Sequence, residues 1–219
     1  MKRSHVRLVV RAFTLVELMV SLAVMMVLTT VLLWHYPETA VRLTVSNASH
    51  TTALMIREAQ VRGSAIDSVN SSVGGYGTYF SLSQPDKLIL FGDLVTSGVG
   101  PYGVAIGDGL FQSSSPDETK TVITLPARYV VSKLCVGAGF PFTCNSANNP
   151  SITSLTVSFT RPNPTPSIYV NNLPTTNYSA GCIELRSPNA PAFGHVRAVQ
   201  VFNSGMITTT IGKCDNSSQ

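Results

Sequence analysis

FTLVELMVSLAVMMVLTTVLLW, residues 13–34, is the stretch on which the reading of this chain turns. Its only charged side chain is Glu17. About 20 apolar residues at 1.5 Å rise span the ~30 Å hydrocarbon core of a bilayer. The residues in front of it are basic: Lys2, Arg3, Arg7 and Arg11 precede Phe13, and no acid does. Such flanking charge holds an N-terminus on the cytoplasmic side. Three readings compete. A cleaved secretory signal needs a shorter apolar core and an A-x-A-like site after it. The residues that follow Trp34, His35-Tyr36-Pro37-Glu38-Thr39-Ala40, do not make one. A plain signal anchor fits length and charge but leaves Glu17 unexplained. A carboxylate one turn inside an apolar span is costly and by default functional, unless it snorkels to the headgroups.

Charge narrows the function classes. Of 15 basic residues, four precede Phe13, which leaves 11 basic against 11 acidic groups from Phe13 onward. The basic balance therefore belongs to the leader, and the neutral remainder does not point to a nucleic-acid surface.

The third reading accounts for the whole N-terminal pattern. Arg11-Ala12-Phe13-Thr14-Leu15-Val16-Glu17-Leu18-Met19-Val20 resembles the cleavage and methylation motif of type IV prepilins and type II secretion pseudopilins: a basic leader, a small residue, Phe-Thr-Leu-x-Glu, then a hydrophobic run. The family has Gly before the cut where this chain has Ala12, the next smallest side chain, so the same cut is expected at a slower rate. The resemblance implies cleavage between Ala12 and Phe13 by a membrane-embedded peptidase on the cytoplasmic side, followed by N-methylation of Phe13. It implies that Glu17 serves assembly, its carboxylate facing the Phe13 amine of a neighbouring subunit. It further implies partners: other pilin or pseudopilin subunits, the prepilin peptidase and methyltransferase, an inner-membrane assembly platform and membrane lipid. The implied location is the inner membrane, single-pass with a periplasmic C-terminal domain, and then a fibre at the cell surface.

Beyond the apolar span the helix is expected to continue, with a kink at Pro37. Val41, Val45, Ala48, Thr52, Met55, Ile56 and Ala59 recur at steps of three and four, with Arg42, Ser49 and Arg57 elsewhere, and Gly63 is a reasonable stop. One long helix, half in the membrane and half packed on a sheet, resembles the pilin layout. Ile56-Arg57-Glu58-Ala59-Gln60 also resembles the end of that helix in minor-pilin-like sequences. The expected organisation is a cleaved leader over 1–12, a transmembrane and assembly helix over 13–36, an amphipathic continuation over 37–63 and a β-rich domain over 64–219. The fold class is α+β, pilin-like, with an antiparallel sheet.

From about Ser64 the composition shifts to Gly, Ser, Thr, Asn and Pro with short apolar runs. Candidate strands are 76–82, 87–93, 121–125, 128–136, 152–159, 181–186, 195–202 and 206–211. Leu155, Val157 and Phe159 alternate with Thr156, Ser158 and Thr160, so that strand buries one face. Asn203-Ser204-Gly205 joins the last two strands as a hairpin. The stretch 160–178, with Pro162, Pro164, Pro166 and Pro174, reads as a surface loop. Arg197-Ala198-Val199-Gln200-Val201 loosely resembles the penultimate strand of the H-type pseudopilin and FimT-like minor pilin subgroup. The basic element that follows it there is replaced here by Met206, Ile207 and Thr208, so DNA contact is not carried over.

Four cysteines, Cys135, Cys144, Cys182 and Cys214, follow the apolar segment. An even count behind an export-type N-terminus implies disulfides formed outside the cytoplasm rather than four free thiols. Three pairings are possible. Cys135 and Cys144 enclose a short flexible loop, and Cys214 lies just past the last candidate strand, so Cys135–Cys144 with Cys182–Cys214 is the expectation and the other two stay open. No C-x2-C spacing suggests zinc. Gly75-Tyr76-Gly77-Thr78 lacks the full phosphate-loop spacing and reads as a turn into an aromatic strand. Asp86, Asp93, Asp108 and Asp117 sit near Gly or Pro as turn residues do. His5, His35, His50 and His195 show no ligand spacing. No cofactor, metal site or catalytic residue is expected, and the chain reads as no enzyme. The function expected is a structural, minor subunit of a type IV pilus or type II secretion pseudopilus. A pilus-tip adhesin or DNA-uptake module on the same helix comes second, and a membrane-anchored exported enzyme third.

Overall fold

The computed structural model describes residues 13–65, 73–94, 107–113, 118–126, 129–138, 141–145, 151–160, 165–174, 178–188 and 196–215, without the side chains of residues 35–40. The expected leader, residues 1–12, and the starts of the candidate strands at Arg128 and His195 lie outside the described residues, as do Asp117, Pro162 and Pro164. The chain divides into two compact units, Met1–Ala40 and Val41–Gln219.

Helix α1, Leu15–Ser64, contributes to both units. Its backbone stays helical through position 37. The side chain of Pro37, and with it the expected kink, lies outside the described residues. In the first unit, every described side chain from Phe13 to Trp34 is exposed. Leu15–Trp34 is long and apolar enough to cross a membrane, with mean hydropathy 2.3. By length and composition it is a membrane anchor or a signal sequence. Its hydroxyls are satisfied within the helix. Ser21 Oγ donates to the Leu18 carbonyl at 2.9 Å, Thr29 Oγ1 to Met25 at 2.8 Å and Thr30 Oγ1 to Met26 at 2.7 Å. Hydrocarbon supplies no water to these groups, so internal partners let them sit in it.

The second unit is α+β. The later half of α1 buries Val45, Ala48, Thr52, Met55, Ile56 and Ala59 on one face. Ser49, expected on the solvent side with Arg42 and Arg57, is instead buried. Its hydroxyl donates to the Ser46 carbonyl at 2.7 Å, which removes the penalty of burying it. The helix ends one residue past Gly63, at Ser64. A side chain at Gly63 would overlap the backbone of Phe159, so the glycine is needed for close packing as well.

Ten strands follow: β1 Val73–Ser81, β2 Lys87–Leu94, β3 Thr119–Thr124, β4 Val130–Gly137, β5 Thr143–Cys144, β6 Ser154–Thr160, β7 Ser167–Val170, β8 Ala180–Arg186, β9 Val196–Phe202 and β10 Ile207–Ile211. They form two five-stranded antiparallel sheets rather than one, ordered β3-β2-β1-β6-β7 and β10-β9-β8-β4-β5. Both sheets give one face to a shared core with the helix. Phe80, Leu88, Leu90, Leu155, Val157, Phe159 and Ile168 come from the first sheet, and Leu134, Ile183, Leu185, Val199 and Val201 from the second. The period of two decides this: Leu155, Val157 and Phe159 enter the core while Ser154, Thr156 and Ser158 face the other way. Gln60 Nε2 also donates to the Gly205 carbonyl at 3.2 Å, fastening the β9–β10 turn to α1. That turn is tight, with Gly205 at φ +81° and its N–H donating to the Phe202 carbonyl at 2.8 Å.

Two expectations are corrected here. The proline-bearing stretch 160–178 is not all loop, because it holds β7, which places Ile168 opposite Val157 and Val170 opposite Leu155. Pro166 lies just before β7, and β7 is an edge strand, so the missing N–H breaks no ladder. Gly75 and Gly77 lie inside β1, not in a turn before it. A side chain at Gly77 would overlap the Phe91 ring, and one at Gly75 the Phe159 backbone. Gly77 therefore makes room for an aromatic ring on the outer face of the sheet, and Gly75 for close approach of the neighbouring strand.

Candidate functional site

The expected processing site is split by the described residues. Ala12 lies outside them, and Phe13 is exposed at the foot of α1. Thr14 is the N-cap: its carbonyl accepts from the Leu18 N–H at 3.2 Å, and its Oγ1 accepts from the Glu17 N–H at 3.3 Å. The Thr14 hydroxyl in turn lies 3.5 Å from Glu17 Oε2, toward which it donates. Thr14-x-x-Glu17 thus has the spacing of a capping box, with the carboxylate facing the Thr14 hydroxyl rather than its N–H, and the acid in the first turn also complements the helix dipole. Sequence reasoning missed this second role of Glu17, although Ser/Thr-x-x-Glu before an apolar run was its signal. An exposed apolar helix with one carboxylate in its first turn can meet lipid or other helices and can pair one cation.

All four cysteines lie on the outer side of the second sheet. Cys135 is joined to Cys144 and Cys182 to Cys214, one of the three possible pairings. The alternation along β4, β8 and β9 sends Leu134, Ile183 and Val199 inward and Cys135, Cys182 and Ala198 outward. Phe142, Ala180 and Cys214 complete a small second core there. The carboxylate of Glu184, itself buried, holds this tail in place: its Oε1 accepts from Ser132 Oγ at 2.9 Å and its Oε2 from the Cys214 N–H at 3.4 Å. Lys133 Nζ reaches Asp215 Oδ2 at 2.7 Å, and that hydrogen bond holds the Asp215 carboxyl below its ordinary range.

The outer face of the first sheet carries a feature that the sequence did not announce. A strap, residues 107–113, lies across it. Phe111 packs on Tyr79 and Phe91, at centroid distances of 4.8 Å and 5.5 Å. Asn172, at φ +57°, holds the Phe111 backbone from both sides: its Oδ1 accepts from the Phe111 N–H at 3.2 Å and its amide donates to the Phe111 carbonyl. The strap buries Asp93 completely at the end of β2. Asp93 is therefore a strand residue under a strap, not the turn residue its neighbours suggested. Its Oδ2 accepts from the Gly109 N–H at 2.8 Å, and its Oδ1 has no hydrogen-bond partner among the described residues. Burial, opposed by the Gly109 N–H and assisted by repulsion from Glu118 and Asp108, raises its pKa to about 7. Glu118 is also buried, but both its oxygens are used, by the Leu94 and Gln112 N–H groups at 2.9 Å and 2.8 Å. Asp108 does act as a turn residue, accepting from the Leu110 N–H at 2.9 Å.

Beside the strap, between Phe111 and the β1–β2 turn, an open cleft of about 300 Å³ is floored by Tyr79, Lys87 and Ile89. Among the described residues no three His, Cys, Asp or Glu side chains converge as a metal site would require. Compared with protein-family models, curated proteins and solved structures, the chain matches none of them.

Proposed function

We propose that this chain is a type IV prepilin-like subunit, built to be cut before Phe13 and to assemble through its N-terminal helix into a pilus or secretion pseudopilus. One observation carries the reading: over Leu15–Trp34 the helix is apolar and exposed, and its single ionisable group there, Glu17, sits in the first turn within the RAFTLVELMV motif. An anchor that only holds a domain at a membrane gains from that carboxylate no more than a helix cap. A helix that must dock beside a neighbour gains from a group able to pair with a newly made terminal amine, because a paired charge in lipid is far less costly than a lone one. The α+β layout, with the later half of the helix on antiparallel sheets, is compatible with a pilin and supports the same reading.

The capping box offers a rival role for Glu17, and two variants separate them. Glu17→Gln keeps a capping side chain but removes the charge. Thr14→Ala removes the cap, at a cost of about 1 kcal/mol, but leaves the charge. Both proteins should remain in the membrane fraction. With the pairing role, Glu17→Gln is lost from sheared filaments or pseudopili while Thr14→Ala still enters them. Entry of Glu17→Gln at the wild-type level would leave the carboxylate with no part in assembly.

A further inference from the structure

The cleft beside the strap has the chemistry of a small binding site. Its floor is rigid, since Tyr79, Lys87 and Ile89 stand on paired strands β1 and β2, with Tyr79 directly opposite Ile89. Period two sends all three to the outer face. One wall is Phe111, which the Asn172 clamp fixes and whose ring supports that of Tyr79. The Tyr79 ring remains half-buried, so it offers an aromatic surface to the cleft.

The polar lining is divided in a telling way. Ser81 and Ser83 bond each other at 2.8 Å, and the Asn172 side chain is committed to Phe111 and Thr156. By contrast, the Tyr79 hydroxyl, the Gln84 amide, the Lys87 ammonium and the Ser113 hydroxyl make no side-chain hydrogen bond or ion pair among the described residues. These four uncommitted groups line one cleft together with the Tyr79 ring. All can donate, and among the described residues no carboxylate lines the cleft with Lys87. An aromatic face with a few convergent polar groups is the usual make-up of a small-molecule site, and about 300 Å³ is its lower size limit. That room suits one ring.

From this we infer that the cleft binds a single carboxylated pyranose, a uronic acid unit of a glycan, with the ring on Tyr79, its hydroxyls on Gln84 and Ser113 and its carboxylate on Lys87. A pyranose presents an apolar C–H face to the electron-rich face of an aromatic ring and a rim of hydroxyls to polar side chains. One cation matches one carboxylate. A nucleic-acid backbone requires several cations, and among the described residues the cleft provides only Lys87. The site lies wholly in the second unit and uses none of Phe13, Thr14 or Glu17, so it stands or falls independently of the assembly reading.

The test is ligand-observed NMR and calorimetry on the full chain in detergent micelles, with glucuronate, glucose, acetate and uridine 5′-monophosphate as separate probes. Glucuronate should bind, glucose should bind about tenfold more weakly for want of one charge-assisted contact, and acetate should not bind measurably. Lys87→Gln should bring glucuronate down to the glucose level and leave glucose unchanged. Tyr79→Leu, which keeps apolar bulk under Phe111, should weaken both sugars alike. No glucuronate binding by the folded wild-type chain, equal binding of glucose and glucuronate, or acetate binding as well as glucuronate would each overturn the assignment. So would uridine 5′-monophosphate binding more tightly than glucuronate.

Discussion

Substituting Asp93 by Asn should remove a pH dependence that the folded protein carries. The Asp93 carboxyl is completely buried, with one oxygen on the Gly109 N–H and the other without a partner among the described residues, and its pKa is raised from 3.8 to about 7. In the unfolded chain an aspartate ionises near its ordinary value. Between about pH 4 and pH 7 the native state therefore holds a proton that the unfolded state has released. Stability must fall as pH rises through that window and level off above it. At about 1.4 kcal/mol for each tenfold change in proton affinity, the ceiling is about 4 kcal/mol, and relaxation of the strap will lower it. Asn at this position keeps an oxygen for the Gly109 N–H and cannot ionise. Asp215, whose carboxyl is held below its ordinary range, has the opposite sign, but its contribution is lost only below about pH 4. Urea unfolding of the full chain in detergent, followed by circular dichroism at pH 4.5, 6, 7 and 8, measures the difference between wild type and Asp93→Asn. The variant's stability relative to the wild type should rise by about 2–4 kcal/mol between pH 4.5 and pH 8. A difference that stays constant across the four pH values would refute the assignment of a buried, protonated carboxyl.

Other outcomes follow from the same structure. Thr78 is fully buried among Tyr76, Phe80 and the core, and its hydroxyl has no partner among the described residues; Thr78→Val should raise stability by about 1 kcal/mol in the same urea assay, and a loss of that size would show that the hydroxyl is satisfied. The two disulfides close sequence separations of 32 and 9 residues. On loop-entropy grounds Cys214→Ser should cost about 3–4 kcal/mol and Cys144→Ser about 2–3 kcal/mol. Limited proteolysis should then release C-terminal peptides sooner from the Cys214 variant, and equal rates would count against a pinned tail.

Much of the second unit is legible in the sequence because its signals are local. Steps of three and four from Val45 to Ala59 mark a buried helix face, and alternation from Leu155 to Phe159 marks a strand with one face in the core. The β9–β10 hairpin is equally local, since Gly205 supplies the left-handed turn residue. What escaped the reading depends on distant partners. Strand β7 is four residues long beside prolines, and only pairing with β6 makes it a strand. The strap has no periodicity of its own; its meaning comes from Asp93, 16 residues before Gly109, and from Asn172, 61 residues after Phe111. Asp93 stands next to Gly92 and resembles a turn residue until the strap buries it. The cleft is still less legible, because Tyr79, Lys87 and Phe111 converge only through the β1–β2 register and the Asn172 clamp. At the N-terminus the composition of the helix was legible, and the Thr14–Glu17 cap was available in the spacing but was overshadowed by the longer motif around it.

The central claim is that this helix is an assembly element exposed by a cut before Phe13, and the mature N-terminus tests it most directly. Protein purified from membranes of cells that contain a prepilin peptidase should be taken to intact-mass measurement and N-terminal peptide sequencing. The account predicts a chain that begins with N-methylated Phe13, retains Glu17 and Trp34, and accumulates uncut when Ala12 is replaced by a bulky residue. A mature chain that begins beyond Trp34 would contradict it, because the apolar helix would then be a discarded secretion signal.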